Sequence, residues 1–247
     1  AQLLGTLTME TEQGPMTIGM AFEQIKADGD GWKRTLEALH ANSAQLLDQV
    51  ALLGKRIGEM HKALGADVDD VAFRPQPITR ADLSAWQASI AHELDDTIAK
   101  ATAKNPALGA KLEAAKPKLL AKLAALDAVE PSGMKTRIHG DLHLGQILVA
   151  QNDVYIVDFE GEPSRPVTER RYKTTPIADL AALLRSFDYA AWTTILQMTP
   201  GHEPRRGRLE RLALSWRDAM SARMTASYRA AIGASPVFAT GGAVERI

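Results

Sequence analysis

The sequence predicts an α+β protein, mostly helical, with its strands confined to two short hairpins. Three observations carry that expectation. Apolar residues recur at alternating spacings of four and three from residue 46 to residue 64, and residues 81–129 are dominated by Ala, Leu and Lys, all strong helix formers. Strand-like runs cluster in only two places, residues 2–25 and residues 146–159.

The 247 residues suffice for a sizeable apolar core, and the composition is 45% apolar and 24% charged with a net charge of −1. A balance so close to neutral argues against a dedicated nucleic-acid or anionic-membrane binder. There is no cysteine, which excludes disulfides and thiolate chemistry. No apolar run reaches the roughly 18 residues that span a bilayer, and no leader-like segment is present. The expectation is a soluble, cytoplasmic protein without nucleic-acid or membrane partners.

In chain order, "QLLGTLTME" (residues 2–10) and "MTIGMAFEQI" (residues 16–25) flank Gly14-Pro15 and read as a hairpin. "KADGDG" (residues 26–31) breaks the pattern as a hinge. From Trp32 to Leu64 the period is helical, and Leu46, Val50, Leu53, Ile57, Met60 and Leu64 form one apolar seam. That seam suits a helix packed on its own domain better than a coiled-coil dimer, because clean flanking charge pairs are lacking. Helices follow through residue 129, broken near Asn105-Pro106, with Pro117 marking a further helix start. "QILV" and "VYIVDF", separated by "AQND", form the second hairpin. Thr175 caps a helix with Pro176 at its first position, and a last helix covers residues 208–233 up to Gly233.

The chemistry concentrates in "RIHGDLHLGQIL" (residues 137–148). Phosphoryl transfer requires a carboxylate that accepts the proton of the acceptor hydroxyl, and oxygen ligands that hold magnesium on nucleotide phosphates. In the protein-kinase arrangement these are an Asp, an amide residue five positions later, and a second Asp after a short hairpin. Asp141, Gln146 and Asp158 have that arrangement. A zinc hydrolase is the competing reading, since His139, Asp141 and His143 alternate and would share one side of an extended segment. It leaves Gln146 and Asp158 without roles.

"HGDLHLGQIL", "DFEGEP" and "ERRYKTTPIADLAALLRSFDYAA" together closely resemble the maltokinases, within the aminoglycoside phosphotransferase-like group of kinases. "EQIKADGDGW" and "LGKRIGEMHKAL" extend the resemblance over most of the chain. It implies a protein-kinase-like C-lobe over residues 32–247, including intermediate helices, and a remnant N-lobe hairpin and hinge over residues 1–31. It implies ATP-dependent phosphorylation of maltose to maltose 1-phosphate, with Mg2+ as cofactor and maltose and ATP as small-molecule partners. Some maltokinases are fused to trehalose synthase, so an upstream domain of that kind is a further implied partner.

Carried over by position, the resemblance makes Asp141 the catalytic base and Gln146 and Asp158 the magnesium ligands. His139 and Asp179 would support the catalytic loop, although Asp179 also reads as an ordinary first-turn aspartate. His143, Trp216, Tyr228 and Arg229 would face the sugar, with a core position as the other reading of Trp216. The backbone of Glu23, Gln24 and Ile25 would meet adenine. Glu160 reads as a sugar, metal or loop-bracing residue. Arg165, Arg170, Arg171 and Lys173 form a basic loop, and Arg205, Arg206 and Arg208 a surface cluster.

The glycine-rich nucleotide loop and the strand lysine that such a kinase needs have no counterpart in this sequence, which starts at Ala1 rather than Met. The expectation is a chain truncated at its N-terminus and inactive in isolation. Two alternatives remain: a kinase for another hydroxyl compound of the aminoglycoside, choline or aminosugar type, and an inert sugar-binding module.

Overall fold

The computed structural model describes residues 2–12, 14–41, 46–198, 203–235 and 237, with backbone alone for residues 203–205. The chain starts with strands β1 (Leu3–Thr11) and β2 (Gly14–Phe22), an antiparallel hairpin. Two-residue strand β3 (Gly29–Asp30) and helices α1 (Gly31–Ala41) and α2 (Leu46–Leu64) follow. Next come β4 (Gln76–Pro77), the long helices α3 (Arg80–Lys104) and α4 (Pro106–Ala124), and β5 (Met134–Lys135). The second hairpin is β6 (Ile147–Ala150) and β7 (Asp153–Ile156), and helices α5 (Val167–Arg170), α6 (Ile177–Met198) and α7 (Glu203–Ile232) complete the order. The mostly helical α+β class is as expected from sequence. No helix among the described residues is long and apolar enough to cross a membrane.

The described residues form two compact units. The first comprises residues 1–59, 139–164 and 179–231; the second comprises residues 60–138, 165–178 and 232–247.

In the first unit, the "DGDG" hinge is part of a sheet. Gly29 pairs with Val149 and Asp30 with Leu148, giving a three-stranded antiparallel order β3-β6-β7. The β6–β7 connection is the two-residue turn Gln151-Asn152, with φ of 52° and 63°. Two successive left-handed residues twist with the flanking strands, the geometry that favours tight hairpins. Gly31 then starts α1 where no side chain fits: a Cβ there would lie 2.7 Å from the Leu144 carbonyl oxygen. The sequence hinge is therefore a packing contact against the motif loop.

The α2 seam is buried at Leu46, Val50, Leu53 and Ile57. Its close neighbour is α7: a Cβ on Gly54 would come 2.3 Å from the carbonyl oxygen of buried Met224. The seam thus packs on its own fold rather than on a second copy. Gly54→Ala gains helix propensity but must push backbone apart, and overpacking of this kind costs about 1–3 kcal/mol. The expected result is a lower chemical-denaturation midpoint than wild type. Arg56 on α2 also grips the hairpin, with Nε 2.9 Å from Asp153 Oδ1 and Nη2 2.6 Å from Oδ2. That forked hydrogen bond holds the Asp153 carboxyl below the usual carboxylate range.

In the second unit, Thr79 and Asp82 form a reciprocal capping box at the start of α3. Asn105 ends α3 and, through its side-chain oxygen, caps Leu108 N of α4. Pro117 does not start a new helix as expected; it lies inside α4. Its position is exposed, so water can satisfy the carbonyl that loses its N–H partner. Strands β4 and β5 pair antiparallel, and Lys135 Nζ reaches Asp82 Oδ1 at 2.5 Å.

Candidate active site

Just upstream of β6, the backbone is tied down by apolar anchors. Leu142 and Leu144 are buried and alternate with Asp141 and His143, which reach outward. Helix α6 supports the segment from one face. The Asp179 carboxylate accepts from His139 N at 2.8 Å and from Gly140 N at 2.9 Å, and Ser186 Oγ accepts from Leu144 N at 3.2 Å. Asp179 and Ser186 are seven residues apart, so both stand on one helix face. Asp179, 1% exposed, is thus a buried acceptor for the loop as well as a first-turn residue of α6.

His139 is equally buried, and its tautomer follows from its partners. Nδ1 accepts from Asp141 N at 3.3 Å, so Nε2 carries the proton and donates to the Val157 carbonyl at 2.8 Å. The ring also packs on Phe159, 4.8 Å between centroids. His139 therefore ties the Asp141 segment to the strand end that carries Asp158. His143 Nδ1 accepts from Gly145 N at 3.0 Å and Nε2 lies 3.9 Å from Asp141 Oδ2. The side chains of His139 and His143 consequently do not converge as a zinc site requires. Among the described residues, no group of three His, Cys, Asp or Glu could hold a metal ion.

Gln146 and Asp158 do meet. Gln146 Nε2 donates to Asp158 Oδ2 at 2.9 Å, and Val157 N donates to the Gln146 carbonyl at 3.0 Å. Asp158 has φ of 66°, a left-handed conformation that Asp tolerates better than most residues. This sharp turn ends β7 and leaves the carboxylate exposed beside the amide. One amide oxygen and one carboxylate are hard donors that suit magnesium when phosphates and water complete its shell.

Asp141 is the titrating group of note. Burial pushes its carboxyl above the ordinary value of 3.8; the Glu162 charge pushes the same way, and His143 and His139 oppose it. As a base it must be ionised, so activity is expected to fall toward acid through a limb above 3.8. A kcat/KM profile against pH checks this, and a flat acid side down to ordinary carboxylate pH would contradict it.

The sugar-facing residues expected on the last helix do not share a face. Tyr228 is 0% exposed and presents no surface to a ligand; burial, then the Asp179 charge, pushes its hydroxyl far above the ordinary range. It is core beneath the loop support. Trp216 is half-buried, edge-on to Phe187 at 6.0 Å and packed with Ala191, Ile195 and Ala213. Arg229 is exposed. Helical spacing alone could not say which side of α7 turns inward. At the other end, Glu23 N donates to the Gln2 carbonyl and Ile25 O accepts from Ala27 N, while Gln24 is exposed. Arg205 lies outside the described side chains, and Arg206 pairs with Glu210 at 2.9 Å. Gly31 and Ser186 were missed from sequence; a serine inside the apolar face of α6 was the available signal.

Residues 27–208 match the model of a family described as phosphotransferase enzymes. A glucosamine kinase of Streptacidiphilus jiangxiensis is 29% identical over 206 residues, covering 81% of this chain and 44% of that protein. A glucosamine kinase of Mycolicibacterium smegmatis is 30% identical over 197 residues, covering 76% of this chain and 46% of that protein. A solved glucosamine kinase in complex with glucosamine, ADP and inorganic phosphate superposes with a TM-score of 0.78 at 26% identity, over 96% of this chain and 55% of that one. The chain thus spans about half the length of the relatives it matches.

Proposed function

The chain belongs to the phosphotransferase enzyme family, and from that premise we propose that it carries the acceptor- and metal-binding half of an ATP-dependent aminosugar kinase. The observation that carries the proposal is the convergence of the Asp141 loop with the Gln146–Asp158 pair through His139. Asp141 accepts the acceptor hydroxyl proton while that oxygen bonds to the γ-phosphorus and ADP departs with the electrons of the broken P–O bond. Gln146 Oε1 and the Asp158 carboxylate hold magnesium, which supplies charge neutralisation on the phosphates when bound. Asp179, Ser186 and His139 keep the loop in place so that little reorganisation accompanies the transfer. The backbone near Glu23, Gln24 and Ile25 meets the base.

The acceptor is an aminosugar rather than maltose. The two curated relatives described above are named glucosamine kinases, and one solved relative holds glucosamine, which supports the aminosugar over the disaccharide. The burial of Tyr228 also removes one residue expected to grip a neutral sugar. The chain spans about half the length of these relatives, so the reaction is proposed for a complete polypeptide that also supplies a nucleotide-covering loop and a strand lysine. The test is ADP release by that polypeptide with Mg2+ and ATP against glucosamine, glucose, maltose and choline. Glucosamine should give the highest kcat/KM; a preference for maltose would restore the maltokinase reading.

A further inference from the structure

Three loops of the second unit are tied together around two guanidinium groups. Thr136 and Thr174 exchange backbone hydrogen bonds of 2.9 Å each, which fixes Arg137 beside residues 171–173. Arg137 Nη1 donates to the Arg171 carbonyl, and its guanidinium lies over the Phe73 ring, 5.5 Å from the centroid. Lys173 Nζ donates to the carbonyl of Val71, two residues before Phe73, at 2.6 Å and closes the circuit.

The charges gathered at Arg137 are of one sign. Its side chain is half-buried, and burial, then the Arg171 charge, holds its guanidinium below the ordinary value. Among the described residues, neither guanidinium is ion-paired to a carboxylate. Acids of the neighbouring loop are engaged elsewhere: Asp70 accepts from Ala72 N at 2.8 Å, and Asp67 lies 4.0 Å from Arg74 Nε. Two cations held together, one of them partly desolvated, are unfavourable alone and become favourable once an anion joins them. A guanidinium steadied on an aromatic face keeps free N–H donors in a rigid fork that matches phosphate oxygens. Two positive charges balance a dianion, which favours phosphate over a single carboxylate.

We propose that Arg137 and Arg171 form a binding site for a phosphate dianion, free or as a monoester. The site has no residue in common with Asp141, Gln146 and Asp158, and it does not depend on which acceptor the kinase uses.

The test is thermal unfolding of the complete polypeptide without nucleotide or Mg2+. Inorganic phosphate or methyl phosphate is titrated in, with chloride at matched ionic strength as the control for simple screening. The midpoints of wild type and Asp158→Asn should both rise with phosphate beyond the chloride control. Arg171→Gln alters only an exposed side chain and should fold normally, yet bind phosphate about tenfold more weakly. Arg137→Lys keeps the charge without the fork and should also bind more weakly than wild type. Methyl phosphate should act like phosphate, because exposed Arg171 leaves room for a substituent; a response to phosphate alone assigns the site to the free ion. A wild-type midpoint that phosphate moves no further than chloride does, an equal response in Arg171→Gln, or a response lost in Asp158→Asn would overturn the site.

Discussion

Asp141→Asn in the complete polypeptide is expected to lower kcat by about a hundred- to ten-thousandfold, the usual worth of a positioned base. The argument is specific to this side chain. It is the carboxylate of the loop that the Asp179 and Ser186 contacts hold in place, between Gly140 and buried Leu142. Asn keeps its shape but cannot accept the hydroxyl proton. Folding should not suffer. The raised carboxyl favours the protonated native state, a contribution present at low pH and lost as pH rises through the raised value, where the ionised group becomes a burden. Asn carries no such burden at neutral pH, so its thermal midpoint is expected to equal or exceed that of wild type. A variant with near-normal turnover would remove Asp141 from the mechanism.

Asp179→Ala should be the most damaging single change to the loop itself. It removes one carboxylate that accepts two backbone N–H groups, from His139 at 2.8 Å and Gly140 at 2.9 Å. Leaving one buried and one partly buried donor without acceptors costs roughly 1–3 kcal/mol each, so a total of about 2–6 kcal/mol is the upper expectation in chemical denaturation. Water admitted to the gap would lower that figure toward its smaller end. Asp179→Asn retains one acceptor oxygen and should lie between Ala and wild type. Activity should fall with loop order, because Asp141 follows the two anchored residues directly. If Asp179→Ala unfolded at the wild-type midpoint, the carboxylate would not be the support described.

What the sequence disclosed tracks how local each relationship is. Asp141, Gln146 and Asp158 were legible because they are related by five residues and one tight hairpin, and the left-handed Gln151-Asn152 turn joins its strands as the pattern implied. Asp179 was half legible: its helix position was clear, but that its oxygens meet His139 and Gly140 forty residues earlier depends on tertiary packing. Which of the α7 residues turn inward was not legible for the same reason. Trp216, Tyr228 and Arg229 lie on a helix whose inner face is set by Phe187, Met224 and their neighbours, which spacing does not encode. "DGDG" looked like a loose hinge because two-residue strands leave no pattern, whereas Gly31 is needed for its approach to Leu144. The acceptor was the least legible feature. The motif describes phosphoryl transfer to a hydroxyl and carries no mark of which hydroxyl compound accepts it.

The most direct measurement is a competition. The complete polypeptide is given limiting ATP with Mg2+ and equimolar glucosamine and maltose, and the phosphate monoesters formed are identified by phosphorus NMR. The account predicts that nearly all transferred phosphate appears on the aminosugar. Phosphate found mainly on maltose, or ATP consumed with neither sugar phosphorylated, would contradict it.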